Sequence, residues 1–315
     1  MSEYLQVQNL KKYFQTPKGL LHAVDDVSFQ VEQGRTLGVV GESGCGKSTL
    51  GRVILHLLDS TGGRIVLNGE DITHANRRRL HTLREEMQMI FQDPFSSLNP
   101  RMSVFQLISE PLVIKGGLSK EEIRQRTNEI MATVGIPERM AASYPHELDG
   151  GRRQRVGIAR ALILNPHFIV CDEPVSALDV SIQAQIINLM LDLQEKRGLT
   201  YLFITHDLSV VRYLAHDIIV MYLGQIVEQG PAEEIFRAPQ HPYTKALLSA
   251  IPIPDVHTQQ NKILMTGEPS SPVNPKPGCR FCSRCPYAEE KCRQKQTAAE
   301  VSAGHSVLCW KAKDL

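Results

Sequence analysis

The sequence has no excess of charge of either sign: 35 Lys and Arg residues stand against 34 Asp and Glu, a formal net charge of +1. A nucleic-acid-binding surface usually needs a clear basic excess, so the composition does not support that class of protein. No apolar run approaches the roughly 20 residues of a membrane-spanning helix, and the first residues lack the apolar core of a signal peptide. We therefore expect a protein that is made and kept in the cytosol.

Cysteine is scarce through most of the chain, where only Cys45 and Cys171 occur. Both are interpreted as packing or loop residues. The other five cysteines lie in the last 37 residues, at Cys279, Cys282, Cys285, Cys292 and Cys309. Because thiols stay reduced in the cytosol, clustered cysteines there are more typical of metal or cluster ligands than of disulfides.

Strand and helix patterns alternate along most of the chain, whose 315 residues are 42% apolar, enough for a large core. The stretches "YLQVQNL" and "AVDDVSFQVEQG" alternate as half-buried strands do, and "HFIVCDE" is apolar as a fully buried strand is. Residues 104–134 predict two helices, the second opening with a capping box from Ser119 to Glu122. Helices between buried strands indicate an α/β fold with a mainly parallel sheet covered on both faces.

A glycine-rich loop, "GESGCGKST", lies between an apolar strand and a helical segment and matches G-x-x-x-x-G-K-S/T. Its glycines let backbone N–H groups face phosphate oxygens, and the helix that begins near Lys47 adds the positive end of its dipole. Lys47 can reach the β- and γ-phosphates, and the Ser48 hydroxyl can ligate Mg2+. The predicted ATP-binding residues of this loop are Gly41, Ser43, Gly44, Cys45, Gly46, Lys47, Ser48 and Thr49.

A second element of the predicted nucleotide site lies far downstream, where the apolar run "FIVCDE" ends in two carboxylates. Asp172 at the strand end would hold Mg2+, directly or through water. Glu173, one residue on, would orient and polarise the water that attacks the γ-phosphate. Together with the loop, this element predicts a nucleotide hydrolase.

The segment "LDGGRRQRVGIARAL" resembles the signature of ABC-transporter ATPases, usually L-S-G-G-Q followed by a basic helix. The resemblance covers almost the whole chain and implies roles for further residues. Gln92 in "MIFQD" is similar to the glutamine that senses Mg2+ and the attacking water, His206 in "FITHD" to the switch histidine, and Asp179 in "SALD" to the D-loop aspartate. Phe14, or its neighbour Tyr13, is placed like the aromatic residue that stacks on adenine.

The same resemblance implies a phosphate-loop ABC fold, with a RecA-like mixed or parallel core, an N-terminal antiparallel β-subdomain and a helical subdomain at about residues 94–160. We expect the ATPase domain to span 1–235, and a C-terminal extension with the cysteine-rich segment to span 236–315. Prolines cluster from Pro239 to Pro277 and mark a change in composition between these two regions.

Two stretches, "FQDPFSSLNPRMSV" and "HPYTKALLSAIP", resemble the ATPase subunits of bacterial dipeptide, oligopeptide and nickel importers. The resemblance implies ATP hydrolysis that energises import from the cytoplasmic face of the inner membrane. The implied partners are a second, nonidentical ATPase, two transmembrane permease subunits and an extracytoplasmic solute-binding protein, with no nucleic acid. A nickel or metal-chelate importer, a soluble ABC ATPase without a transporter, and a regulatory protein that only keeps the fold are the alternatives.

The signature residues Asp149, Gly150, Gly151 and Arg152 depart from the family pattern, since Asp149 replaces Ser and Arg152 replaces Gln. Asp is as good a helix N-cap as Ser, and Arg152 three residues later can pair with it. In the family this segment acts in trans, on the ATP bound to the facing subunit. Either the departure weakens that site, which predicts a functionally asymmetric heterodimer, or Arg152 compensates for the carboxylate.

The spacing Cys279-x5-Cys285-x6-Cys292-x16-Cys309 resembles the four-cysteine ligand set of a 4Fe–4S cluster in peptide-importer ATPases. Cys282 is additional and opens a second assignment, Cys279, Cys282, Cys285 and Cys292, similar to a bacterial ferredoxin run. Zinc is the other candidate metal, because thiolates also bind it well, and a tail without a metal is the remaining alternative. Either centre would have a structural role, since a metal can fold a segment too small to have its own core.

Overall fold

The computed structural model describes residues 3–93, 97–251, 262–265, 267 and 271–312. The chain divides into two compact units. The first consists of Met1–His74 and Phe203–Leu315, and the second of Ala75–Leu202. Contacts thus place the C-terminal segment in the same unit as the N-terminal strands. The domain boundary near residue 235 and the limits of the helical subdomain remain predictions from the sequence.

The first unit opens with a four-stranded antiparallel sheet in the order β2-β1-β4-β5. Its strands are β1 (Glu3–Thr16), β2 (Gly19–Glu32), β4 (Gly62–Leu67) and β5 (Glu70–Asp71). The predicted alternation holds at Leu5 and Val7, which are almost fully buried, and a bulge shifts the register before the buried Leu10. The predicted N-terminal antiparallel sheet is therefore confirmed, and the hairpin is longer than the two alternating stretches suggested.

The same unit contains a mixed sheet in the order β11-β12-β10-β9-β3-β8. Its strands are β3 (Thr36–Val40), β8 (Thr200–Thr205), β9 (Asp217–Tyr222), β10 (Gln225–Pro231), β11 (Ala299–Ser302) and β12 (His305–Val307). Strand β3 runs parallel to β9, whereas β10 pairs with β9 and with β12 in antiparallel fashion. The α/β class is confirmed, and the antiparallel strands β10 to β12 make the sheet mixed.

In the described part of the first unit the helices are α1 (Lys47–Ile54), α7 (Leu208–Leu214), α8 (Ala232–Arg237) and α9 (Pro242–Ser249). Residues of α7, β9 and α9 share one apolar core with Phe281, which comes from the cysteine-rich segment. The Phe281 ring lies 5.3 Å from the ring centroid of Tyr222 and 5.4 Å from that of Tyr243, and its side chain is 1% exposed. The C-terminal segment thus obtains its apolar burial from this core.

The second unit pairs β6 (Met87–Ile90) in parallel with β7 (Phe168–Asp172). Its helices are α2 (Arg77–Glu86), α3 (Val104–Lys115), α4 (Lys120–Thr133), α5 (Gly150–Leu162) and α6 (Val180–Arg197). Both helices predicted over 104–134 are present, and the capping box at Ser119 is confirmed. Short 3-10 turns occur at Glu138–Met140 and Pro145–Glu147 in this unit, and another occurs at Glu290–Arg293 in the first unit. Among the described residues, no helix is long and apolar enough to cross a membrane.

Candidate nucleotide site

The phosphate loop joins the end of β3 to the start of α1, and its three glycines, Gly41, Gly44 and Gly46, have positive φ angles that other residues rarely adopt. Gly41 has φ 150° and Gly46 has φ 107°. A Cβ at Gly41 would overlap the Met221 carbonyl oxygen, and one at Gly46 would overlap the Ala23 carbonyl oxygen. Backbone strain and close packing therefore both require glycine at these positions.

Lys47 is the first residue of α1 and is only 4% exposed. Its ammonium donates hydrogen bonds to the carbonyl oxygens of Gly41 at 2.7 Å and Glu42 at 2.9 Å. A buried ammonium needs such acceptors, and phosphate oxygens would be stronger ones because they are charged. Since Gly46, the N-cap of α1, provides no side-chain hydrogen bond, the first N–H groups of the helix also suit an anion.

The two aromatic candidates for adenine lie next to each other on β1, so their side chains point to opposite faces of the strand. Tyr13 stacks on His22 with 4.0 Å between ring centroids, and its hydroxyl donates to Asp25. Burial and the Asp25 carboxylate both raise the pKa of Tyr13. The Phe14 ring faces the Lys12 ammonium at 4.9 Å. One face of each ring is therefore covered, by His22 for Tyr13 and by Lys12 for Phe14, and a base would stack on the opposite face.

The predicted catalytic carboxylates of the second unit lie at the end of β7. Asp172 is its last residue and is 2% exposed. Glu173 follows with φ 47°, a left-handed conformation that costs a non-glycine residue about 1 kcal/mol. The Gln92 side-chain amide donates a 2.9 Å hydrogen bond to the Glu173 carboxylate, although 81 residues separate them. The structure thus brings together two residues that the sequence singled out independently.

Asp149 in the signature is the N-cap of α5, and its carboxylate accepts a 2.7 Å hydrogen bond from the Arg152 backbone N–H. The Arg152 guanidinium lies 3.2 Å from the same carboxylate, with the two side chains 47% and 58% exposed respectively. Both the capping and the pairing expected from the sequence are confirmed. A Cβ on Gly151 would lie 2.6 Å from Ile182 Cγ2, so the helix can approach α6 only with glycine here.

Asp179 and His206 both lie close to the start of a helix. Asp179 is the N-cap of α6 and accepts a 2.9 Å hydrogen bond from the Ile182 N–H. His206 follows β8 directly and is exposed, and Asp207 caps α7 by accepting from the Ser209 N–H at 2.9 Å. These caps explain why a short acidic side chain stands at Asp179 and at Asp207.

All five cysteines of the tail line one small cavity, together with His241 and Trp310. Cys292 is buried and accepts hydrogen bonds from the Trp310 indole N–H at 3.4 Å and the Glu289 N–H at 3.5 Å. Burial raises the pKa of the Cys279 thiol to about 12. In the part of the chain that the structure describes, no three His, Cys, Asp or Glu side chains are placed to hold one metal ion. The two cysteines outside the tail, Cys45 and Cys171, are buried.

Sequence reasoning missed two contacts of the phosphate loop. The Glu42 N–H donates to the Tyr243 hydroxyl at 2.8 Å, and the Glu42 carboxylate pairs with Arg284 of the cysteine-rich segment. The partners lie 201 and 242 residues away from Glu42, so no local spacing could have indicated them.

Comparison with known proteins places these features in a family. The family of ABC transporters matches residues 24–176, and the oligopeptide/dipeptide transporter C-terminal region matches residues 227–292. The oligopeptide transport ATP-binding protein OppF of Bacillus subtilis is 49% identical, over 98% of this chain and 97% of the relative. The dipeptide transport ATP-binding protein DppF of Escherichia coli is 46% identical, over 97% and 93% of the two chains.

Solved structures agree with these matches. The protein cbiO1 from Clostridium perfringens, part of the ABC transporter complex cbiONQ, is 30% identical with a TM-score of 0.68, over 75% of this chain and 92% of the other. The dimeric ATP-binding cassette MJ0796, bound to ADP and Pi, is 30% identical with a TM-score of 0.66, over 72% and 98%. By its phosphate loop, its fold and relatives that match almost its whole length, the chain belongs to the ABC-transporter ATPases.

Proposed function

We propose that this chain is the ATP-hydrolysing subunit of a bacterial importer of dipeptides or oligopeptides. The observation that carries the proposal is a phosphate loop in the same chain as a match to the oligopeptide/dipeptide transporter C-terminal region. Family membership makes the chain an ATPase coupled to transport, and its relatives are named as oligopeptide and dipeptide transport ATP-binding proteins. The same role in an importer of nickel or a metal chelate is the alternative within this class.

Each of the site residues has a separate role in ATP hydrolysis. Lys47 and the loop N–H groups bind the phosphates, and Phe14, or its neighbour Tyr13, stacks on the base. Ser48 and Asp172 offer the oxygen ligands that Mg2+ prefers, and when bound the ion offsets the charge of the β- and γ-phosphates.

The attacking water is activated by Glu173, the carboxylate that follows Asp172. Glu173 takes its proton, while the hydrogen bond from Gln92 supports orientation of that carboxylate. His206 contacts the γ-phosphate.

A second ATPase subunit completes each site, because the signature acts on the ATP of the facing subunit. That subunit is a nonidentical chain, since a homodimer would carry Asp149 and Arg152 in both sites. Two transmembrane permease subunits and an extracytoplasmic solute-binding protein form the rest of the importer, with this chain at the cytoplasmic face of the inner membrane. Closure on ATP and opening after hydrolysis drive the permeases between two states.

For the tail we propose a 4Fe–4S cluster held by Cys279, Cys285, Cys292 and Cys309, with Cys282 as the alternative ligand. The chemistry of the donor set supports it: five thiols line one cavity, and thiolates are the ligands of such clusters. As placed, they do not form a site for a single ion among the described residues.

The tail proposal is tested by purifying the chain without oxygen and measuring iron, sulfide and zinc. About four irons and four sulfides per chain support the cluster. One zinc per chain selects the zinc alternative, and a metal-free protein contradicts both centres.

The main proposal is tested with the chain assembled with its permeases in vesicles, where peptide uptake and ATP turnover are measured together. We expect Glu173→Gln to lower ATP turnover at least 100-fold, as loss of a general base does. Glu195→Gln, an exposed change on α6, is the matched control and should leave turnover unchanged. Uptake of nickel instead of peptides would select the alternative solute.

The soluble-ATPase alternative is tested by co-purification. The chain, expressed together with the proposed transmembrane permease subunits, should be recovered in a detergent-soluble complex with them. An ATPase that hydrolyses ATP but never associates with membrane subunits would contradict the importer proposal and select the alternative class.

A further inference from the structure

An ion pair joins the cysteine-rich segment to the phosphate loop. Arg284 lies between Cys282 and Cys285, and its terminal nitrogen Nη1 is 3.0 Å and 2.9 Å from the two carboxylate oxygens of Glu42. The Arg284 side chain is 9% exposed and that of Glu42 is 28% exposed. A charge-assisted pair shielded to this degree is stronger than a surface pair and less screened by salt.

Arg284 is held in place by an aromatic group. Its guanidinium lies 6.0 Å from the Tyr222 ring centroid, and Nη1 is 3.5 Å from the Tyr222 hydroxyl. Tyr222 in turn packs edge-on against Phe281, three residues before Arg284. The arginine therefore has a fixed position as long as the cysteine-rich segment stays folded against the core of the first unit.

Glu42 is fixed at three points. Its carboxylate meets Arg284, its N–H donates to the Tyr243 hydroxyl at 2.8 Å, and its carbonyl oxygen accepts from the Lys47 ammonium at 2.9 Å. A shift of Glu42 would therefore move an acceptor of Lys47, the residue that binds phosphate. Its carboxylate also adds negative charge to a loop that receives a polyanion, and the arginine offsets that charge.

We propose that Arg284 is a positioning residue for the phosphate loop: paired with Glu42, it neutralises the carboxylate beside the bound phosphates, so that the fold of the cysteine-rich segment sets the affinity for ATP. This rests on the proposed ATPase function of the loop.

The test measures the Kd for Mg·ATP by calorimetry on the full chain, in a Glu173→Gln background that prevents turnover. We expect Arg284→Gln to weaken binding at least tenfold, because a partly buried carboxylate is left uncompensated beside the phosphates. Adding Glu42→Gln removes that carboxylate and should restore the Kd to within about threefold of the parent. Arg284→Lys keeps the charge and should bind better than Arg284→Gln.

The matched control is Arg293→Gln, from the same segment, whose pair with Glu290 is exposed, at 74% and 81% for the two side chains. It should leave the Kd unchanged. A double variant as weak as Arg284→Gln would show that the arginine only stabilises the fold, which overturns the proposal. Thermal unfolding of every variant identifies any that does not fold, and Arg284→Lys then provides the comparison.

The two proposals fail in different ways. A parent chain that does not bind Mg·ATP at all would contradict the ATPase function. A parent that binds, with an Arg284→Gln variant that binds equally well, would contradict only the positioning role.

Discussion

Restoring the family signature should activate the ATP site that this chain completes for its partner. The change is Asp149→Ser together with Arg152→Gln. It removes one negative and one positive charge, so the local net charge is unchanged. Ser also remains a good N-cap for α5.

The structure separates the cost to folding from the effect on hydrolysis. The Asp149–Arg152 pair is about half exposed, and such pairs three residues apart contribute roughly 0.5 kcal/mol or less. The free energy of unfolding should therefore change by less than about 1 kcal/mol. A carboxylate about 4 Å from phosphate costs about 1 kcal/mol in water and about 4 kcal/mol near a protein surface. Losing only Arg152 should thus weaken the partner's site between about fivefold and several hundredfold.

The assay uses the assembled transporter with Glu173→Gln in this chain, so that the remaining ATP turnover reports the partner's site. We expect the double signature change to raise that turnover at least tenfold, and Arg152→Gln alone to lower it. Asp192→Ser with Lys196→Gln, a more exposed pair on α6, is the control and should have no effect. Equal turnover in all these variants would refute the electrostatic reasoning and the asymmetry.

Three further predictions concern stability. Gly151→Ala should cost about 1–3 kcal/mol, because its Cβ would lie 2.6 Å from Ile182 Cγ2. Phe281→Ala should cost about 3–5 kcal/mol, since this 1%-exposed ring joins the tail to the core. Burial lowers the pKa of His56, because the folded state favours the neutral side chain. The stability that depends on this neutral side chain is fully present above the ordinary pKa of 6.5, and the free energy of unfolding decreases as the pH falls below that value. His56→Asn, which tolerates the φ of 53°, should lose less stability between about pH 7.5 and 5.5 than the parent.

Urea unfolding measures all three. Gly157→Ala is the control for Gly151, because its Cβ meets nothing within 4 Å and alanine favours a helix by about 1 kcal/mol. A stable Gly151→Ala would mean that α5 and α6 can separate at no cost. An unaffected Phe281→Ala would mean that the tail folds independently. A His56→Asn chain with the same pH dependence as the parent would assign that dependence to other groups.

Local features of the molecule followed directly from the order of residues. The phosphate loop, the capping box at Ser119 and the cap at Asp149 depend on groups within a few residues of each other, so their spacing is visible in the sequence. Alternation of apolar residues likewise predicted the strands of the N-terminal sheet, because side chains of a strand alternate between its faces. The extent of the hairpin was less predictable, since β1 pairs through several bulges that shift its register.

The sequence by itself therefore determined the nucleotide loop, the acidic strand end and the family. Only the tertiary structure decided which distant groups meet: Gln92 with Glu173, and Glu42 with Arg284. It also decided that His22 covers one face of Tyr13, and that the cysteine-rich segment shares the core of the first unit. The physical reason is that these contacts form only when chain folding brings remote segments together, and no local period or spacing records a partner that lies 81 or 242 residues away.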